Sequence, residues 1–165
     1  MLKNDKLGID LITIQDHPYN GSFLDTWTFT ALAMFTRHIH FMTNVAGIPL
    51  RHPPLLAKSA ATLDTLTKGH VEIGIGAGAF WRAIVGSGGP SRTPQEAVSA
   101  LEEAIQVIRL IWNNTAADEN EEDDNNNNNT RATFHGKFYN LNGAQTGPQP
   151  FHPLRIWVGA LGHAC

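Results

Sequence analysis

Short runs of β-branched and apolar residues, each followed by a helical pattern, recur along this chain, and that alternation restricts the fold more than any other feature. Residues 7–14 (LGIDLITI) are apolar at nearly every position, as expected of a strand buried on both faces of a parallel sheet. The run ends in a polar corner, Gln15-Asp16-His17-Pro18. Asp25 is placed to cap a helix whose apolar positions Ala31, Leu32 and Phe35 recur up to Arg37. Residues 39–45 (IHFMTNV) read as a second strand. Pro53 and Pro54 then open a helix through Leu55, Leu56, Ala60, Leu63 and Leu66 that stops at Gly69.

Residues 71–76 (VEIGIG) form a third strand, running into a glycine-rich loop at 76–89 that holds Phe80 and Trp81. Thr93, Pro94 and Glu96 make a capping box with proline at the first helical position. Behind it, Val98, Leu101, Ile105, Ile108 and Trp112 share one face of a helix. Residues 113–130 (NNTAADENEEDDNNNNNT) have no apolar residue beyond two alanines. They bury too little surface to offset the entropy of ordering them and are expected to be a disordered insertion. Residues 134–141 are expected to form a hairpin or extension, and 155–160 (RIWVGA) a fourth strand. Alternation with short connections implies parallel strands and right-handed crossovers, hence an α/β fold in one domain over 1–165. An open doubly wound sheet and a closed barrel both satisfy the pattern.

The net charge of -3 is local, because six acids fall within 118–124 and leave the remainder at +3. The charge therefore gives no argument for nucleic-acid or membrane partners. No window approaches the roughly 20 apolar residues of a membrane helix, and the N-terminal apolar run reads as a strand rather than a signal. Cys165 has no second cysteine to pair with, so a reducing, cytoplasmic setting is expected.

Asp16-His17, Asp25-Thr26-Trp27 with Thr36-Arg37, Pro49-Leu50-Arg51-His52-Pro53, Thr62-Leu63-Asp64, Gly69 and Gly74-Ile75-Gly76-Ala77-Gly78 together resemble the luciferase-like monooxygenase family in order and spacing. Phe80-Trp81, Gly88-Gly89-Pro90, Arg92-Thr93-Pro94, the helix VSALEEAIQVIRLIW, Gly136-Lys137-Phe138-Tyr139 and Ile156-Trp157-Val158-Gly159-Ala160 look like its deazaflavin-dependent branch. The resemblance implies a (β/α)8 barrel, of which this chain would supply roughly the first half, with a cofactor across the carboxyl ends of the strands. That cofactor would be flavin mononucleotide (FMN) or coenzyme F420. A complete barrel takes roughly 200 to 400 residues, so the first strand and the C-terminal strands of the family are expected to be absent, together with part of the phosphate grip. A half-barrel would expose strand edges and invite association.

The resemblance also implies site residues. His17 matches an active-site histidine beside the reactive ring, suited to proton transfer or substrate polarisation; otherwise Asp16 and His17 cap a turn. Asp16, Asn44, Val45, Gly76, Ala77, Gly78 and Trp81 are implied in cofactor binding. Asn44 and Val45 match a bulge that in several relatives supports one ring face, where the bland reading is an ordinary strand end. Gly74-x-Gly76-x-x-Ala79 formally meets a dinucleotide fingerprint, but that motif opens a helix directly, whereas the capped helix here begins near Pro94. Some relatives carry an acid where this chain has Arg82, which leaves the substrate class open.

His38 and His40 form an H-x-H pair at the start of their strand, the wrong end of a barrel for a metal site, and no metal is expected. Trp27, Trp112 and Trp157 read as core. Arg51 and His52 either meet a phosphate or face solvent. Three functions remain. One is an oxidoreductase acting on a small molecule, homodimeric in a longer parent; another is a flavin-binding relative without turnover; the third is a nicotinamide-binding α/β protein.

Overall fold

The computed structural model describes residues 8–22, 25–26, 28–33, 35–113 and 131–159, and in it the alternation becomes a row of parallel strands. β1 (Leu11–Ile14) leads through α1 (Thr28–Ala33) to β2 (His40–Thr43), which β3 (Ala46–Gly47) prolongs after an interruption. Next come α2 (Pro53–Thr67), β4 (Val71–Gly76), α3 (Trp81–Gly86) and α4 (Pro94–Trp112). The hairpin β5 (Arg131–His135) and β6 (Asn140–Gln145) and the strand β7 (Ile156–Gly159) complete the order. β1 pairs with β2, β2 and β3 with β4, and β4 with β7, all in parallel. Counting β2 and β3 as one, the sheet has four strand positions standing in chain order.

The strand pleat sends successive side chains to opposite faces. Phe41, Val71, Ile73 and Ile75 go to one face and are buried there. Ile73 and Ile75 pack in one core with Ala57, Ala60 and Ala61 of α2 and Ala100, Ala104, Val107, Ile108 and Ile111 of α4. Alanines on the facing helices permit close approach, and the Trp112 indole N–H donates to the Ala57 carbonyl at 2.9 Å across them. The other face carries Leu11, Thr13, Met42, Glu72 and Trp157, all exposed or half-buried. There the Trp157 indole N–H donates to Glu72 at 3.0 Å. A doubly wound sheet reverses its strand order and carries helices on both faces. Here the order does not reverse, and α2 and α4 share one face, as in a barrel wall.

Local signals explain the helix ends. Thr93 and Glu96 form the full capping box of α4, with Pro94 in the first turn. α2 starts at Pro53 and ends with Lys68 in the left-handed region and Gly69 at φ +92°. Near its end the fully buried Asp64 carboxylate accepts the His152 backbone N–H at 3.1 Å and bonds its Nδ1 at 2.9 Å, which ties the approach to β7 onto α2. The hairpin packs Ala132, Tyr139 and Leu141 into the core shared with α4, and one side chain of that helix holds its turn. Glu103 accepts the backbone N–H groups of Lys137, Phe138 and Tyr139 at 2.8, 2.8 and 3.1 Å. Burial works against its ionisation, but these donors outweigh it and hold its carboxyl below the usual carboxylate range.

Several expectations need correction. β1 is not buried on both faces: Leu11 is 44% exposed, and among the described residues β1 pairs only with β2. α1 is six residues long, not a helix running to Arg37. Its threonines favour extended backbone, and Phe35 lies beyond its end, 56% exposed. The run 39–45 divides into β2 and β3, and the glycine loop contains α3. The hairpin is longer than expected, and β7 begins at Ile156. The proposed insertion lies outside the described residues apart from Asn113, which ends α4. Trp27 and Cys165 lie outside them too.

Candidate active site

Side chains converge at the carboxyl ends of the strands. Beyond β1, Asp16 is buried and its carboxylate accepts the Gly47 N–H at 3.2 Å and Arg51 Nε and Nη2 at 3.1 and 2.7 Å. Arg51 Nη2 also donates to Asp25 at 2.9 Å. The bonds to Asp16, opposed by burial and reinforced by Asp25, raise the Arg51 pKa further. This guanidinium therefore links three loops. Arg51, expected to meet either a phosphate or solvent, pairs with the carboxylates of Asp16 and Asp25. Asp16, implied in cofactor binding, spends its carboxylate on Arg51 and Gly47.

His17 is half-buried beside it. Its Nδ1 shares a 2.7 Å hydrogen bond with the Tyr19 hydroxyl, and the edge of Phe80 meets its ring with centroids 5.3 Å apart. Tyr19 and Phe80 lie 6.2 Å apart, so the three rings form one cluster. Burial, then the negative charge of Asp16, raises the Tyr19 pKa above its ordinary value. Trp81 begins α3 and is half-buried; the ring that reaches His17 is its neighbour Phe80.

The interruption between β2 and β3 is a bulge. Phe41 and Met42 pair with Val71 and Glu72, whereas Ala46 and Gly47 pair with Ile75 and Gly76. Thr43, Asn44 and Val45 thus oppose only Ile73 and Gly74, one residue in excess. The Thr43 hydroxyl takes the place of the missing ladder bonds, donating to the Gly74 carbonyl at 2.6 Å and accepting its N–H at 3.0 Å. The Asn44–Val45 peptide bond is cis, and the Asn44 N–H donates to the Ile14 carbonyl at 2.8 Å. Val45 is half-buried over three glycines. Methyl carbons of Val45 lie 3.1, 2.8 and 2.9 Å from where a Cβ would stand on Gly74, Gly76 and Gly159.

A Cβ on Gly74 would also collide with the Thr43 carbonyl oxygen, a backbone atom that cannot yield. Gly74→Ala is expected to destabilise the chain by about 3 kcal/mol, the upper end for overpacking. Gly86→Ala, which meets open space in α3, should be nearly neutral. Urea denaturation of both variants checks this, and equal stabilities would refute the packing.

Gly78 has φ +97° and sits against Pro49 and Ile84, so the glycine loop is locked onto the loop after β3. Ala77 packs against the core. The structure thus gathers Asp16, His17, Asn44, Val45, Gly76, Ala77 and Gly78 at one end of the sheet. Tyr19, Phe80, Thr43 and the Arg51 pairing are additions that sequence reasoning missed. At the opposite strand end, His40 and His70 have ring centroids 5.0 Å apart, and burial followed by His70 lowers the His40 pKa. Among the described residues no group of three ligands is placed for a metal. A cavity of about 240 Å³ is lined by Phe29, Phe41, Leu55, Leu63 and Ile73; it shares Thr43 and Arg51 with the strand-end site but is not lined by His17, Tyr19 or Phe80.

The sequence profile described as luciferase-like monooxygenase matches residues 2–165. The chain belongs to that family. This luciferase-like chain is 31% identical over 166 residues to the F420-dependent glucose-6-phosphate dehydrogenase of Kineococcus radiotolerans, with 96% of the chain and 44% of the relative covered. Its fold matches an F420-dependent secondary alcohol dehydrogenase in complex with an F420-acetone adduct, with TM-score 0.72 and 21% identity over 93% of this chain and 44% of that one. It also matches the oxygenating constituent of 3,6-diketocamphane monooxygenase from Pseudomonas putida in complex with FMN, with TM-score 0.70 and 20% identity over 93% and 42% of the two chains. The luciferase-like chain therefore spans less than half the length of these relatives and has the fold of part of a (β/α)8 barrel. A helix, α3, does begin three residues after Gly78, but among the described residues the strand order does not reverse as in a doubly wound nicotinamide-binding sheet. Among the described residues, no helix is long and apolar enough to cross a membrane.

Proposed function

We propose that this chain forms the cofactor-facing part of a flavin- or deazaflavin-dependent oxidoreductase acting on a small organic molecule. One observation carries the reading: Val45, raised on three glycines, makes an apolar shelf at the strand ends where the His17–Tyr19–Phe80 cluster stands. A flat aromatic cofactor suits a shelf that is aliphatic and backed by Cβ-free strand. When bound, F420 would supply hydride transfer, and reduced FMN would supply electrons to oxygen.

The chain's own residues would orient the ring, limit water and handle a proton. Val45 supports the ring face. Phe80 shields one side of His17. His17 holds or delivers a proton at the substrate, and Tyr19 orients its ring through the 2.7 Å hydrogen bond at Nδ1. Asp16 and Arg51 act as positioning residues for that loop. The name of the Kineococcus relative supplies a first trial donor, glucose-6-phosphate.

Fluorescence titration of the purified chain with FMN and with F420 tests the reading. Saturable binding of one cofactor is expected, retained in His17→Ala and lost in Val45→Asp, which places a charge on the shelf. Folded protein that binds neither cofactor, or binding untouched by Val45→Asp, would overturn it.

A further inference from the structure

We infer that the cavity between α1 and α2 is a binding site for a small, uncharged, apolar molecule, separate from the site at the strand ends. Phe41 of β2 with Val71 and Ile73 of β4 forms one wall, Phe29 of α1 a second, and Leu56 and Leu63 of α2 a third. The gap follows from the lengths of the two helices. α2 runs for 15 residues and α1 for six, so α1 covers only part of the groove beside α2. Its aromatic residue Phe29 is 3% exposed and meets the Phe41 ring with centroids 5.3 Å apart. Leu55, also on the cavity wall, is 66% exposed, which gives a ligand a way in from solvent.

Size and chemistry select the occupant. An apolar cavity of about 150 Å³ stays dry and takes up benzene, so by proportion the 240 Å³ here suit a molecule of about ten carbon atoms. The polar side chains on the wall are engaged within the protein. The Thr43 hydroxyl bonds both backbone groups of Gly74, and the Ser59 hydroxyl donates to the Leu55 carbonyl at 2.8 Å. Arg51 donates to Asp16 and Asp25, and Glu72 accepts the Trp157 indole N–H. A charged ligand would lose its hydration and gain no partner from these groups, whereas a hydrocarbon gains from burial in proportion to its area. Thr43 and Arg51 face the cavity while bracing the bulge and the Asp16 loop, so the occupant lies behind the strand-end site; His17, Tyr19, Val45 and Phe80 do not line it. The inference stands whether or not the strand ends take a cofactor.

Methyl-resolved NMR of the carbon-13-labelled chain, titrated with indane, a bicyclic hydrocarbon of this size, tests the site. Saturable shifts are expected at Leu56, Leu63 and Ile73, and none at Leu11 or Met42 on the opposite face of the sheet. Indane-2-carboxylate, the same rings with a charge, should bind about tenfold or more weakly. Ser59→Leu, a small intrusion into the cavity, should weaken indane binding, and Ser59→Phe should abolish it. Shifts that do not saturate, that fall on Leu11 and Met42 instead, or that persist unchanged in both folded Ser59 variants would overturn the inference, as would equal affinity for the carboxylate.

Discussion

In the His17→Ala variant, turnover of the trial donor falls by about 10²- to 10⁴-fold, the span usual for loss of a general acid or base, while cofactor affinity changes by less than about threefold. The split between rate and binding follows from the geometry. The imidazole is held by Tyr19 at 2.7 Å and by the edge of Phe80, whereas the proposed support for a ring is Val45 on its glycines. Tyr19→Phe should give a smaller loss, since it removes only the 2.7 Å hydrogen bond that orients the imidazole. Steady-state kinetics with each variant check both points. An unchanged turnover in His17→Ala would remove His17 from the chemistry.

Arg51→Ala is expected to cost about 3 kcal/mol in stability, the low end of the ~3–5 kcal/mol found when one partner of a buried ion pair is removed. The Asp16 side chain is 1% exposed and that of Arg51 18%, so truncation leaves a buried carboxylate that keeps, among the described residues, the Gly47 N–H at 3.2 Å. Adding Asp16→Asn to Arg51→Ala removes the uncompensated charge and should recover part of the loss. Denaturant unfolding of the single and double variants reads the coupling, and additive losses would mean that the pair is not acting as one unit.

The sequence was legible where the deciding contacts are local. The capping box of α4 involves residues three apart, and the ends of α2 are marked by Pro53 and Gly69, so both helices could be read directly. β4 was equally plain, a short β-branched run interrupted only by Glu72 and bounded by glycine-rich turns. The bulge could be placed only through the family resemblance. Its proof is a change of pairing register between strands about 30 residues apart, which no local pattern records. The same holds for Arg51 and Asp16, 35 positions apart. Phe80 and Trp81 are adjacent aromatics in one glycine-rich loop, and only the start of α3 decides which of them faces His17. α1 fell short because, of its few apolar positions at helical spacing, Phe29 is buried against Phe41 while Phe35 is left 56% exposed.

Glu103 also determines where this protein tolerates change. Because the turn of the hairpin hangs by three backbone N–H groups from the middle of α4 and Ala132, Tyr139 and Leu141 are buried in the shared core, its seat is set by these contacts more than by the covalent path from Trp112 to Arg131. The number of residues along that path can grow or shrink at little entropic cost. Length variation there is thus uncoupled from the strand ends, and a lineage could accumulate polar repeats in that stretch without selection at the active site registering them.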